Sequence, residues 1–225
     1  MSVKDSRAIE RPRVDWRRAE FVLTLLAFLG FVTLGIRITT IYSGLPAHPL
    51  FVHVPVILIP TAVVAALVFV ARPEWLGRYG IALCLVSIVA MSSVFLTMQA
   101  GAALRGELHL RGEAATLISE HSQAAHILAI VFTAFTAVLI VAFAAYRISG
   151  GRPTGLGVVD RPLGSRSTFK ALRVLVVVLA IGAGFMTFRT GDLGAKAVWA
   201  GRVHAAQNGT ASDLAEKPST GPGSP

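Results

Sequence analysis

The stretch "LPAHPLFVHVPVILIPTA", residues 45–62, decides how this chain is read. It is apolar enough to open a membrane span, yet it carries His48 and His53 together with Pro49, Pro55 and Pro60. Pro49 suits the first turn of a helix, where its missing N–H is no loss. Pro55 and Pro60 each remove an interior hydrogen bond, which a bilayer tolerates when neighbouring groups re-satisfy the backbone. The stretch is therefore the opening of a transmembrane helix with two imidazoles in its first turns. Ionisable groups at such depth are costly and mark function by default.

The rest of the chain agrees with a membrane setting. At 54% hydrophobic residues, 15% charged residues and a mean hydropathy of +0.66, a 225-residue chain is too apolar to solvate the surface of a water-soluble domain. A hydrocarbon core of ~30 Å needs ~20 helical residues. Five blocks qualify: Phe21 to Tyr42, Pro49 to Ala71, Gly80 to Ala100, Ala124 to Tyr146 and Val174 to Phe188. The last is the shortest and spans only if Arg173 and Arg189 snorkel from its two ends. The fold expected is all-α, a polytopic membrane helix bundle of five transmembrane helices, four forming a core and one added at the N-terminus. The organisation that follows is a basic cytoplasmic tail over 1–20, an N-terminal span over 21–44, a four-helix membrane domain over 45–205 and a disordered outer tail over 206–225.

Orientation follows from the basic residues. With the N-terminus inside, the inner segments carry 14 of the 21 Lys and Arg and the outer segments 7, which favours N-inside and C-outside in a bacterial cytoplasmic (inner) membrane. The net charge of +9 is thus a loop charge that sets topology; no basic stripe or recognition motif points to nucleic acid. The partner that the composition implies is the lipid bilayer. Trp16, Trp75 and Tyr79 fall near the inner boundary as an aromatic belt. Cys84 is the sole cysteine, so no disulfide forms within the chain.

All six histidines then fall on the outer side or in the outer half of the membrane: His48, His53, His109, His121, His126 and His204. "HPLFVH" and "HSQAAH" share the spacing His-x4-His, the one internal repeat the sequence displays. Residues five apart on a helix are rotated by ~140°, so one helix cannot present both rings to one ion, and pairing must run between helices. His53 and His126, the inner members, match in depth and are the expected cross-helix pair. On the fourth block Ser119 is the expected cap, with Glu120 favouring the helix start electrostatically.

HPxxVHxP at the start of a span, a later span carrying His and the glycine-rich close "TGDLGAKAVWAGRV" resemble a family of predicted bacterial and archaeal membrane proteins classed as a domain of unknown function. The resemblance covers about residues 45–205, leaving the first span as an addition. The family usually has Phe where this chain has Val54, and Tyr-x-His-Gly where it has Trp199-Ala200-Gly201. With no activity attached to the family, the resemblance implies the fold alone.

Three function classes remain. In the first, His53 and His126 are axial ligands of a b-type haem, Arg37 and Arg189 meet its propionates, and the protein transfers electrons to a redox partner or within a membrane complex. In the second, a copper or zinc site is built from two or three of His48, His53, His121 and His204, with His126 a further candidate ligand. In the third, the chain is an accessory membrane subunit whose histidines hold helices together. Met91 and Met98, seven residues apart on the third block, are a packing face. No nucleophile elbow, HExxH, phosphate loop or intramembrane carboxylate pair suggests an enzyme.

Overall fold

The computed structural model describes residue 30 and residues 41–42, 45–107, 112–152 and 157–215, with the backbone alone for 41–46 and from 200 onward. Among the described residues a two-residue antiparallel bridge, β1 (Ile41–Tyr42) with β2 (Leu45–Pro46), leads into five helices. These are α1 (Ala47–Ala71), α2 (Pro73–Glu107), α3 (Gly112–Ser149), the short α4 (Gly157–Leu163) and α5 (Arg166–Ala215). Four of them, α1, α2, α3 and α5, are long and apolar enough to cross a membrane. The expected first span, Phe21 to Tyr42, lies outside the described residues apart from Gly30 and the Ile41–Tyr42 bridge. Gly30 is buried, and its backbone approaches α2 so closely that an added Cβ would come within 2.6 Å of Ser92 Oγ.

Local chemistry sets the turns. Proline cannot donate to a ladder, so Pro73 ends α1 and serves as the first residue of α2, while the Arg72 N–H donates back to Val68 O at 2.8 Å. At the end of α3 the Gly151 N–H donates to Ile148 O and the Arg152 N–H to Arg147 O, both at 3.1 Å, with Gly151 at φ +81°. This is the paired C-terminal cap that requires a left-handed residue, which glycine supplies without Cβ strain.

Two helix boundaries differ from the sequence reading. Helix α3 starts at Gly112, so Ser119 is an interior residue rather than a cap. Helix α5 runs on to Ala215, so residues 206–215, read as the start of a disordered tail, are helical, and the fifth apolar block is the middle of a longer helix. Hydropathy alone marks the greasy middle of a helix and not the polar turns that extend it.

The long helices form a four-helix bundle. Helix α1 packs on α2, α3 on α5, and the two hairpins meet along the α1/α5 and α2/α3 seams, leaving α1 and α3 diagonal. Small buried residues, among them Ala62, Ala66, Ala90, Ala180 and Ala183, let the backbones approach. Gly80 is the closest case, since a Cβ there would lie 2.5 Å from the Phe143 ring. Large apolar side chains such as Ile57, Ile130, Phe185 and Phe188 point outward, as expected of helices greasy on every face and solvated by lipid. Phe69, Trp75 and Tyr79 cluster at the bundle end away from the histidines.

Candidate functional site: a two-histidine centre on the bundle diagonal

His48 sits in the first turn of α1, and its Nδ1 lies 3.0 Å from the Thr97 carbonyl oxygen on α2. His121, on α3, places Nδ1 2.9 Å from the Thr190 carbonyl oxygen on α5. A carbonyl can only accept, so in each ring Nδ1 carries the proton and donates it, and in the neutral ring Nε2 keeps a free lone pair. That second hydrogen bond is the device that fixes the tautomer and orientation of a ligating imidazole. The two rings face each other across the diagonal, centroids 6.3 Å apart and planes at 85°.

Each ring also lies against a glycine one helical turn beyond its threonine. A Cβ on Gly101 would meet His48 Nδ1 at 2.9 Å, and one on Gly194 would meet His121 Nδ1 and Cε1 at 3.1 Å. "TMQAG" (97–101) and "TGDLG" (190–194) are thus the same cradle used twice, the carbonyl of a Thr above the bare backbone of a Gly.

The duplication runs through the whole bundle. Buried positions Pro55, Ile59, Ala62, Val63, Ala66 and Phe69 of α1 recur on α3 at Leu128, Phe132, Phe135, Thr136, Leu139 and Ala142, at the same 73-residue offset that separates His48 from His121. Leu83, Ser87, Ala90, Ser93 and Ala100 of α2 recur on α5 at Val176, Ala180, Ala183, Met186 and Leu193, at the 93-residue offset of the two threonines. The bundle is two equivalent hairpins, a parallel repeat whose axis passes between the two rings. The two cradle threonines differ in the fate of their hydroxyls. Thr97 Oγ1 donates to Ser93 O at 2.8 Å, whereas Thr190 Oγ1 is buried without a hydrogen-bond partner.

The other expected site residues are placed differently. The pair expected was His53 with His126, but both are exposed, and His126 Nδ1 bonds Ser122 O of its own helix at 2.7 Å. The rotation of ~140° between residues five apart allows one ring of each His-x4-His to face the axis, and the cradle selects the outer one. Arg189 is exposed on α5 next to Thr190. His204 follows Gly194 by ten residues on the α5 backbone, ~15 Å farther along the axis. Arg37 and His109 lie outside the described residues. Among the described residues no three His, Cys, Asp or Glu side chains converge, so His48, His53, His121 and His126 do not assemble as one ligand set there. The sequence reading did not single out Thr97, Gly101, Thr190 or Gly194. Their signal is the repeated Thr-x3-Gly, visible once the two His-x4-His hairpins are aligned.

A family model described as "Predicted membrane protein (DUF2231)" matches residues 44–207. The chain belongs to this family. The match spans α1, α2 and α3, α5 as far as residue 207, and both cradles of this DUF2231 protein. No curated protein and no solved structure matches it.

Proposed function

We propose that this DUF2231 protein holds a b-type haem between His48 and His121 and transfers electrons at the outer face of the bacterial inner membrane. The observation that carries the reading is the ring pair itself. A metal–imidazole bond of ~2.0 Å plus ~1.1 Å from nitrogen to ring centroid, taken twice along a line, puts centroids ~6.2 Å apart; the rings stand 6.3 Å apart. Two tetrahedral ligands would bring the centroids to ~5.1 Å on the same bond lengths. The tautomer also fits, since both Nδ1 atoms are spent on carbonyls and both Nε2 lone pairs are free.

Donor count separates haem from zinc. A structural zinc site takes four protein donors and a catalytic one three, whereas a porphyrin brings four nitrogens and asks the protein for two; a two-coordinate copper(I) ion is the bare-ion alternative that the spectrum must separate from haem. The pair here is two histidines, one from each hairpin, with the inter-hairpin seam between them. Arg189 beside the site, and Arg37 from the first span, are the cations suited to haem propionates. The setting is the five-span arrangement, N-terminus inside and C-terminus outside, with a redox partner or membrane complex on the outer side.

The test is an absorption spectrum of the full chain purified in detergent from haem-sufficient cells, oxidised and then reduced. A Soret band with sharp reduced bands is expected, lost in His48→Ala and in His121→Ala and kept in His53→Ala and His126→Ala. A colourless protein whose bound copper or zinc depends on His48 and His121 would replace haem with a metal ion. A colourless, metal-free protein would leave the pair as a helix-to-helix contact only.

A further inference from the structure

The end of the bundle opposite the histidines carries a second feature. Arg173, on α5, reaches across the α1/α5 seam and donates through Nη2 to the Val70 carbonyl oxygen. Val70 belongs to the last turn of α1, where carbonyls lack helical partners and a cation is favoured. The guanidinium also lies over the Phe169 ring, 5.9 Å from its centroid. Its charge is therefore fixed in the seam, in contrast to a long side chain snorkelling freely. Lys170, three residues earlier and on the same helix face, is exposed beside it. Neither cation is paired with a carboxylate among the described residues. Lys170 and Arg173, with Val70, Val174 and Val177, line an open groove of about 310 Å³.

We propose that this groove binds one anionic phospholipid, its phosphate between Lys170 and Arg173 and the upper part of one acyl chain on the three valines. Charge complementarity supplies the head group's partner, and a basic pocket between transmembrane helices at this level is the physical form such a site takes. A free phosphate would have no use for the valine floor. The phospholipid bridges α1 and α5, the seam across which the two hairpins meet, and so ties the repeat together at the end remote from the histidines. This inference is independent of what the histidine pair binds.

The experiment is thermal unfolding of the full chain in neutral detergent, with phosphatidylglycerol, phosphatidylcholine of the same chains, or inorganic phosphate added. Phosphatidylglycerol should raise the midpoint by ~3 °C or more beyond phosphatidylcholine, by binding the folded state alone. The double variant Lys170→Gln with Arg173→Gln should abolish the difference. Arg78→Gln, whose cation lies over Tyr79 at the same end but outside the groove, should keep it. Should the double variant fail to fold, Lys170→Gln alone, at an exposed position, is expected to weaken phosphatidylglycerol binding several-fold by native mass spectrometry. An equal response to the two lipids, a full response to inorganic phosphate, or a phosphatidylglycerol response that survives loss of both cations would overturn the proposal.

Discussion

His48 and His121 stand at equivalent positions of two helical hairpins, 6.3 Å apart across the bundle diagonal, each holding its Nδ1 proton to a threonine carbonyl of its own hairpin. The equivalence matters because a group bound on the axis between them meets the same donor atom from both sides. It also means that each ring can be perturbed within its own hairpin without touching the other.

The glycines of the cradles offer that perturbation. Gly101→Ala would bring a Cβ to 2.9 Å from His48 Nδ1, and Gly194→Ala to 3.1 Å from the His121 ring. The ring must shift, and its bond to the threonine carbonyl weakens. Each substitution should cost ~1–3 kcal/mol as overpacking and lower any bound-cofactor ratio in proportion. Gly106→Ala, near the end of α2 with nothing within 4 Å of its Cβ, should be neutral or stabilise by ~0.5–1 kcal/mol through helix propensity. Thermal unfolding beside a pigment or metal assay checks all three; equal behaviour of Gly101→Ala and Gly106→Ala would refute the cradle.

Gly80 tests the packing of the bundle away from the site. A Cβ there would lie 2.5 Å from Phe143, itself buried on α3. Gly80→Ala should destabilise by ~1–3 kcal/mol, and Phe143→Leu in the same chain should recover part of the loss, because the two side chains compete for one space. Additive effects in the double-mutant cycle would show that the contact is not the cause.

Much of the fold was legible in the sequence because a membrane span needs only length and apolarity, and the basic residues fall between the apolar blocks. The site was half legible. The spacing His-x4-His announced paired helices, and its 140° rotation said that one ring of each pair must turn away. Which ring turns inward depended on Thr97, Gly101, Thr190 and Gly194, residues remote in sequence whose contribution is a backbone carbonyl and the lack of a side chain. Neither property leaves a trace in hydropathy. Depth in the membrane pointed to His53 and His126, but packing space decided for the outer pair.

Two buried hydroxyls make a further test. Gly77 meets Tyr146 and Gly80 meets Phe143, so the antiparallel register of α2 and α3 brings Ser87 level with Thr136. Both oxygens are buried without a hydrogen-bond partner, while Thr61, Ser92, Ser93, Thr97 and Thr187 all donate to a carbonyl three or four residues back. Removing a hydroxyl that has no protein partner relieves its desolvation, so Thr136→Val should be neutral or stabilise by ~1 kcal/mol. Thr97→Val forfeits a hydrogen bond and should destabilise by ~0.5–1.5 kcal/mol. Unfolding midpoints of the two variants against the parent settle the sign; a Thr136→Val that loses as much as Thr97→Val would mean its hydroxyl serves the fold.

The side of the membrane on which the histidine pair lies is the last prediction, and the loops decide it. The segment joining α3 to α5, with Arg147, Arg152, Arg161 and Arg166, is the most basic connection between bundle helices. It lies at the end opposite the cradles, because α3 runs from His121 toward Tyr146 and α5 returns from Phe169 toward Gly194. Basic loops of this length favour the cytoplasmic side, so His48 and His121 are predicted to lie outside. Cys84 is buried, so replacing it with Ala leaves a chain free of cysteine in which single cysteines can be introduced for labelling. A cysteine at position 158, where Val158 is 91% exposed, should react with a membrane-impermeant maleimide only after the cells are opened. A cysteine at position 105, on the α2 end near His48, should react in intact cells. The reverse pattern would turn the bundle over and put the histidine pair, and any electron it carries, on the cytoplasmic face.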